Sequence, residues 1–202
     1  MKTAELIRTR INETPLGEPF TPAAFLALGT RATVDQTLSR LVKEGFITRV
    51  SRGVFVRPTQ SRYVGKATPE PSKIAEAIAK TTGATIQVHG AEAARRLALT
   101  TQTPTQPVFY TSGPSKRIQV GKLTVTLKHA SPRKLALAGR PAGLALAALW
   151  YLGKEEVTEN VIAKIRKKLS PEEFLALRSA TASMPAWMTD ALYKYERNTR
   201  NG

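Results

Sequence analysis

Hydrophobic positions change period along this chain, and the changes divide it into elements. Residues Lys2 to Glu13 carry Leu6, Ile7 and Ile11 on one helical face, and Pro15-Leu16-Gly17 ends that helix. Thr21-Pro22 opens a short helix to Leu28 with Phe25 and Leu28 inward, because threonine caps and proline suits the first helical position. Gly29 turns the chain. From Thr30 the apolar residues Val34, Leu38, Leu41 and Val42 recur at helical spacing, with Thr33, Gln36, Arg40 and Lys43 on the opposite face. Those four residues include two cations and no acid. Gly45 supplies the left-handed residue that commonly ends a helix. The period then shortens to two, predicting strands over Phe46–Val50 and Val54–Arg57 around the turn Ser51-Arg52-Gly53.

Helix, glycine turn, longer helix and basic hairpin, in that order, form the outline of a winged helix-turn-helix. The longer helix would enter the major groove of a duplex and the hairpin would lie along the phosphates. Exposed helix faces with two cations are usually only solvated. The hairpin changes the balance, because Arg49, Arg52 and Arg57 place three cations within nine residues beside the helix.

Residues 58–71, PTQSRYVGKATPEP, are polar and rich in proline and glycine. They predict a linker, with Arg62, Tyr63 and Lys66 within reach of phosphates. The expected division is a DNA-binding domain over residues 1–66 and an interaction domain over 67–202. The second begins with a helix capped by Ser72 and stopped by Gly83. A strand to Val88, a helix from Gly90 to Leu99, and strands over 108–111, 116–120 and 123–129 follow. This is an α+β pattern with a small, mostly antiparallel sheet. A helical tail comes next: a nearly all-apolar helix from Pro141 to Leu152, one from Val157 to Lys168 capped near Thr158, one opened by Ser170-Pro171, and a last from Pro185 to Glu196.

Charge sharpens the picture. Thirty-one lysines and arginines against 15 acids leave a formal net charge of +16 over 202 residues. Such an excess speaks of partners, first of nucleic acid, because cations that neutralise phosphates release condensed counterions. An acidic protein is the next candidate, and a membrane surface a distant one. From Ala93 to Lys154 there is no aspartate or glutamate, while Arg95, Arg96, Lys116, Arg117, Lys122 and Lys128 fall in that stretch. These six predict a second basic patch, for DNA backbone or for an acidic protein.

Composition excludes other chemistry. No cysteine is present, so disulfides, thiolate metal sites and cysteine nucleophiles are ruled out. The N-terminus lacks the apolar core of a signal peptide, and the most apolar run, Ala142 to Leu152, is too short to span a bilayer, so a cytoplasmic protein with no membrane partner is expected. The two histidines, His89 and His129, lie at strand ends away from acids. No zinc, nucleophile-elbow, Walker or dinucleotide pattern occurs. Neither an enzyme, a cofactor nor a metal is expected. Gly90 to Ala94 opens a helix whose free amides could hold an anion.

With these residues laid out, the chain resembles the AbiEi family, the antitoxin half of bacterial abortive-infection toxin–antitoxin pairs. The similarity lies in FLALGTRATVDQTLSRLVKEGFITRVSRGVFVRP and in IQVHGAEAARRLALTTQTPTQPVFYTSGPSKRIQVGKLTVTLKHASP. The second stretch, with its glycine-alanine helix and its TQTP and YTSG turns, is the more particular. The resemblance implies a repressor of its own promoter whose C-terminal domain counteracts a nucleotidyltransferase-like toxin, with or without direct contact. Thr33, Gln36 and Arg40 would then face bases, with Thr30, Arg31, Thr37 and Lys43 beside them. Arg49, Arg52 and Arg57 would hold phosphates, and the patch around Lys116, Arg117, Lys122 and Lys128 would serve neutralisation or cooperative DNA binding. Inverted repeats in the promoter would be met by a homodimer or by cooperative binding. The alternative is a stand-alone transcriptional regulator whose C-terminal domain serves assembly or ligand sensing.

Overall fold

Residues 3–61, 65–67, 70–120 and 123–200 are described by the computed structural model, which is mixed α+β. In chain order the elements begin with α1 (Thr3–Glu13), β1 (Pro19–Phe20), a 3-10 turn (Pro22–Phe25), α2 (Arg31–Lys43), β2 (Thr48–Ser51) and β3 (Val54–Val56). They continue with β4 (Thr59–Ser61), β5 (Gly65–Ala67), α3 (Pro71–Thr82), β6 (Ile86–Val88), α4 (Gly90–Arg96) and β7 (Val108–Thr111). Next come β8 (Lys116–Val120), β9 (Leu123–His129), α5 (Pro141–Glu156), α6 (Glu159–Lys168), α7 (Pro171–Ser179) and α8 (Ala186–Arg200). Two units emerge, one formed by Met1–Ala84 with Lys116–Thr126 and the other by Thr85–Ser115 with Leu127–Gly202. No helix among the described residues is long and apolar enough to cross a membrane.

In the first unit α1 and α2 close over a small antiparallel sheet of order β1-β3-β2. Ile7 and Ile11 from α1, Val34, Leu38 and Leu41 from α2, and Phe20, Phe25, Ile47 and Phe55 fill its core. Phe20 meets Phe25 edge-on at 5.6 Å and stacks on Phe55 at 6.2 Å, which ties β1, the 3-10 turn and β3 together. The Thr30 hydroxyl caps α2 by accepting from the Thr33 N–H. At the far end Gly45 takes φ +70° as the chain leaves the helix for β2. β2 and β3 pair through Thr48↔Val56, Arg49↔Phe55 and Ser51↔Val54, with a bulge before the turn at Gly53, whose φ is +72°.

Two expectations are revised here. The stretch expected to be a linker contains β4 and β5, paired antiparallel from Thr59↔Ala67 to Ser61↔Gly65. And α3, expected to open the second domain, packs on β1 and β3, so it belongs with the first unit. Its start is also two residues earlier than expected from a cap at Ser72. Glu70 is the cap residue, Pro71 takes the first helical position, and the Ser72 hydroxyl donates to the Glu70 carboxylate at 2.6 Å.

The second unit is built around α5. Its apolar stretch is explained by burial: from Ala142 to Leu149 every residue but Leu144 is buried, in one core with Ala93 and Ala94, Ile162 and Ile165, Phe174 and Leu177, and Met188 and Leu192. The helix proper breaks at Gly153 (φ 77°, ψ 173°), close to the expected end at Leu152. Glu173 caps the other end, accepting from the Ala142 N–H at 2.8 Å while Arg140 holds the same carboxylate below its usual pKa. Thr158 and Ser170 cap α6 and α7 as their sequences predict. β6 pairs antiparallel with β7 through Ile86↔Thr111, Gln87↔Tyr110 and Val88↔Phe109. The last helix runs on to Arg200 rather than ending at Glu196.

Candidate nucleic-acid interface

Helix α2 turns Val34, Leu38 and Leu41 to the core and leaves Thr33, Gln36, Arg40 and Lys43 exposed. Thr30 and Arg31 are exposed at its start. The Thr30 and Thr33 hydroxyls lie 2.9 Å apart in one hydrogen bond, so they form a fixed pair at the head of the helix. The exposed surface is less purely basic than the face expected from spacing. Arg31 pairs with Asp35 at 2.8 Å, and Arg40 lies 3.6 Å from Glu44, which also holds Arg8 at 3.1 Å. These are solvent-facing pairs worth ~0–1 kcal/mol each, so a phosphate or base edge can replace the carboxylate at little cost.

Thr37 is a correction. It is buried, 6% exposed, and its hydroxyl donates to the Thr33 carbonyl one turn back at 2.8 Å. Three residues of helix place it about 60° from Val34, inside the apolar stripe and away from any groove.

The hairpin separates its three arginines. Arg52 is exposed at the turn between β2 and β3, and Arg49 is exposed on β2 with its guanidinium 6.0 Å from the centre of the Phe55 ring. Arg57, expected to hold phosphate, is committed elsewhere. Its guanidinium donates to the carbonyls of Ile11, Asn12 and Thr14, where α1 ends. The last carbonyls of a helix lack partners within it and carry the negative end of the dipole, so a cation there completes the helix.

The residues expected to form the second patch fall in both units. Arg95 and Arg96 fold onto Glu92, the acid just before the acid-free stretch, at 2.7 and 2.9 Å. The two guanidiniums lower its carboxyl pKa to about 2. Lys116 and Arg117 are exposed and lie in the first unit, where β8 packs along β2 and the Lys116 ammonium donates to the Ser51 hydroxyl at 2.7 Å. Lys128 is exposed at the end of β9 in the second unit. Lys122, Arg62 and Tyr63, and the side chain of Lys66, lie outside the described residues.

His89 is a helix cap. Its Nδ1 accepts from the Ala91 N–H at 3.3 Å, and its ring rests 4.7 Å from that of Tyr110 and 6.1 Å from that of Tyr151. Burial, then Lys128 and Lys134, push its pKa below the ordinary imidazole value. Tyr110 receives a backbone hydrogen bond from Gly90, while burial raises its phenol pKa. Of the amides suggested as an anion site, those of Gly90, Ala91 and Ala93 thus have partners within the chain. Gly90 is required by this packing, since a Cβ there would lie 2.6 Å from the Ala147 carbonyl. His129 bonds the Gly113 carbonyl at 3.0 Å. Among the described residues no three histidines or acids gather as a metal ion would need.

What sequence spacing missed are contacts between distant segments: Lys116 with Ser51, and Arg8 beneath Phe46, with its guanidinium 4.4 Å from the ring centre. Their separation, 65 residues in the first case, leaves no local signal.

A comparison with curated proteins found no match. Among solved structures the chain is similar to the crystal structure of the RV2827C protein from Mycobacterium tuberculosis, at 14% identity and a TM-score of 0.41, over 96% of this chain and 82% of that one. Residues 6–176 match DUF6088, and the chain therefore belongs to that family of unknown function.

Proposed function

We propose that this chain binds duplex DNA through a winged helix-turn-helix in its first unit and represses its own promoter. The observation that carries the reading is the exposed row Thr33, Gln36, Arg40 and Lys43 on α2, followed at once by a basic turn at Arg52. The order α1, β1, 3-10 turn, α2, β2–β3 hairpin supports it, because in that succession a helix leads directly into a basic hairpin. On this reading Gln36 and Arg40 meet base edges in the major groove, whereas Arg49 and Arg52 hold the backbone. We further propose, from the resemblance to AbiEi antitoxins alone, that the second unit counteracts a toxin encoded beside it.

A promoter reporter and a co-expression assay test the two parts separately. The chain should silence a reporter driven by its own upstream region, and Arg40→Ala should relieve the silencing. Expression of the adjacent open reading frame should arrest growth, and this chain should restore it. A harmless neighbour removes the antitoxin part and leaves a stand-alone regulator; an unaffected reporter removes the repressor.

A further inference from the structure

The β2–β3 turn is flanked rather than free. On one side a Cβ added at Gly53 would touch Thr81 of α3 at 3.7 Å. On another, β8 packs along β2 and brings the Lys116 ammonium to within 2.7 Å of the Ser51 hydroxyl, next to Arg52 in sequence. The chain between Gly45 and Pro69 contains no acid, and neither does the chain between Ala93 and Lys154. The fold therefore lays β8, from the second acid-free segment, along β2, from the first, within one unit.

We propose that Lys116 is a backbone-phosphate contact of the same duplex that the β2–β3 hairpin grips, so that the DNA surface extends from the hairpin onto β8. The proposal rests on the DNA-binding reading above. Of the two roles expected for the patch that holds Lys116, DNA backbone or an acidic protein, it takes the first and joins Lys116 to the hairpin's own duplex. A lysine ammonium has three donors; one is spent on Ser51, which holds the charge beside the turn, and the exposed side chain keeps two for phosphate oxygens. Arg117 is the natural comparison. Ile118 is buried while Arg117 and Gln119 are exposed, so the pleat sends Arg117 to the face opposite Lys116.

The test is the salt dependence of duplex binding by the full chain, measured for wild type, Lys116→Gln, Lys116→Arg and Arg117→Gln on a duplex from its own upstream region. Loss of one phosphate contact should reduce the slope of log affinity against log salt by about 0.9. Lys116→Gln should therefore lose roughly three- to fourfold less affinity than wild type for each fourfold rise in salt. Lys116→Arg should keep the wild-type slope, and Arg117→Gln should match wild type. An unchanged slope in Lys116→Gln, or an equal loss in Arg117→Gln, overturns the proposal while leaving the hairpin reading intact. Wild-type binding that ignores salt overturns both.

Discussion

Arg57 donates to the Thr14 carbonyl at 3.2 Å from 43 residues away, closing the end of α1 with a cation that belongs to the end of the hairpin. The consequence is a separation of stability from binding. Arg57→Ala leaves helix carbonyls without a charged donor and should cost about 1.5–3 kcal/mol in urea unfolding. The salt slope of DNA binding should not change. A variant that folds as well as wild type but loses a phosphate contact would return Arg57 to the DNA surface.

His89 gives the second unit a pH response. Its Nδ1 can cap α4 only when unprotonated, and its folded pKa lies below the ordinary value of 6.5. The unfolded chain therefore takes up the proton first as pH falls, so stability declines once pH drops below about 6.5 and continues to decline down to the folded pKa. His89→Asn keeps a capping acceptor without a titrating ring. Denaturation midpoints between pH 7.5 and 5.5 should fall less in that variant than in wild type; parallel curves would contradict the capping role.

Glu92 behaves oppositely in range. With a carboxyl pKa lowered from 4.5 to about 2 by Arg95 and Arg96, its contribution is complete above about pH 4.5 and disappears as pH falls toward 2. Because both arginines reach solvent, with side chains 41% and 45% exposed, Glu92→Gln should cost only on the order of 1 kcal/mol at pH 7. Unfolding of wild type and variant should converge at acid pH.

Gly143 is fixed by contact. A Cβ there would sit 2.0 Å from the carbonyl oxygen of Leu137, which itself holds φ +58°. Neither backbone can yield cheaply, so Gly143→Ala should destabilise the unit around α5 by at least ~1–3 kcal/mol, visible as a lower thermal midpoint.

These cases show which parts of the molecule could be read from the chain. Helix ends are local, so Gly83, Thr158 and Ser170 are legible from neighbouring residues, as is α5 from its apolar run. Thr37 was legible in principle, since its angle from Val34 places it on the buried stripe. The arginines and lysines were not. A pattern shows that a cation exists, but its partner is chosen by tertiary structure: a helix end for Arg57, Glu92 for Arg95 and Arg96, Ser51 for Lys116. The grouping of α3 and β8 with the first unit was hidden for the same reason, as it follows from packing rather than from local composition.

Most direct for the central claim is the affinity of wild type, Arg40→Ala and Arg52→Ala for the upstream duplex and for a shuffled duplex at one fixed salt concentration. Arg40→Ala should lose about 1–3 kcal/mol on the upstream duplex and little on the shuffled one, while Arg52→Ala should weaken both alike. Equal losses from both substitutions on both duplexes would contradict a helix that reads bases beside a hairpin that holds phosphates.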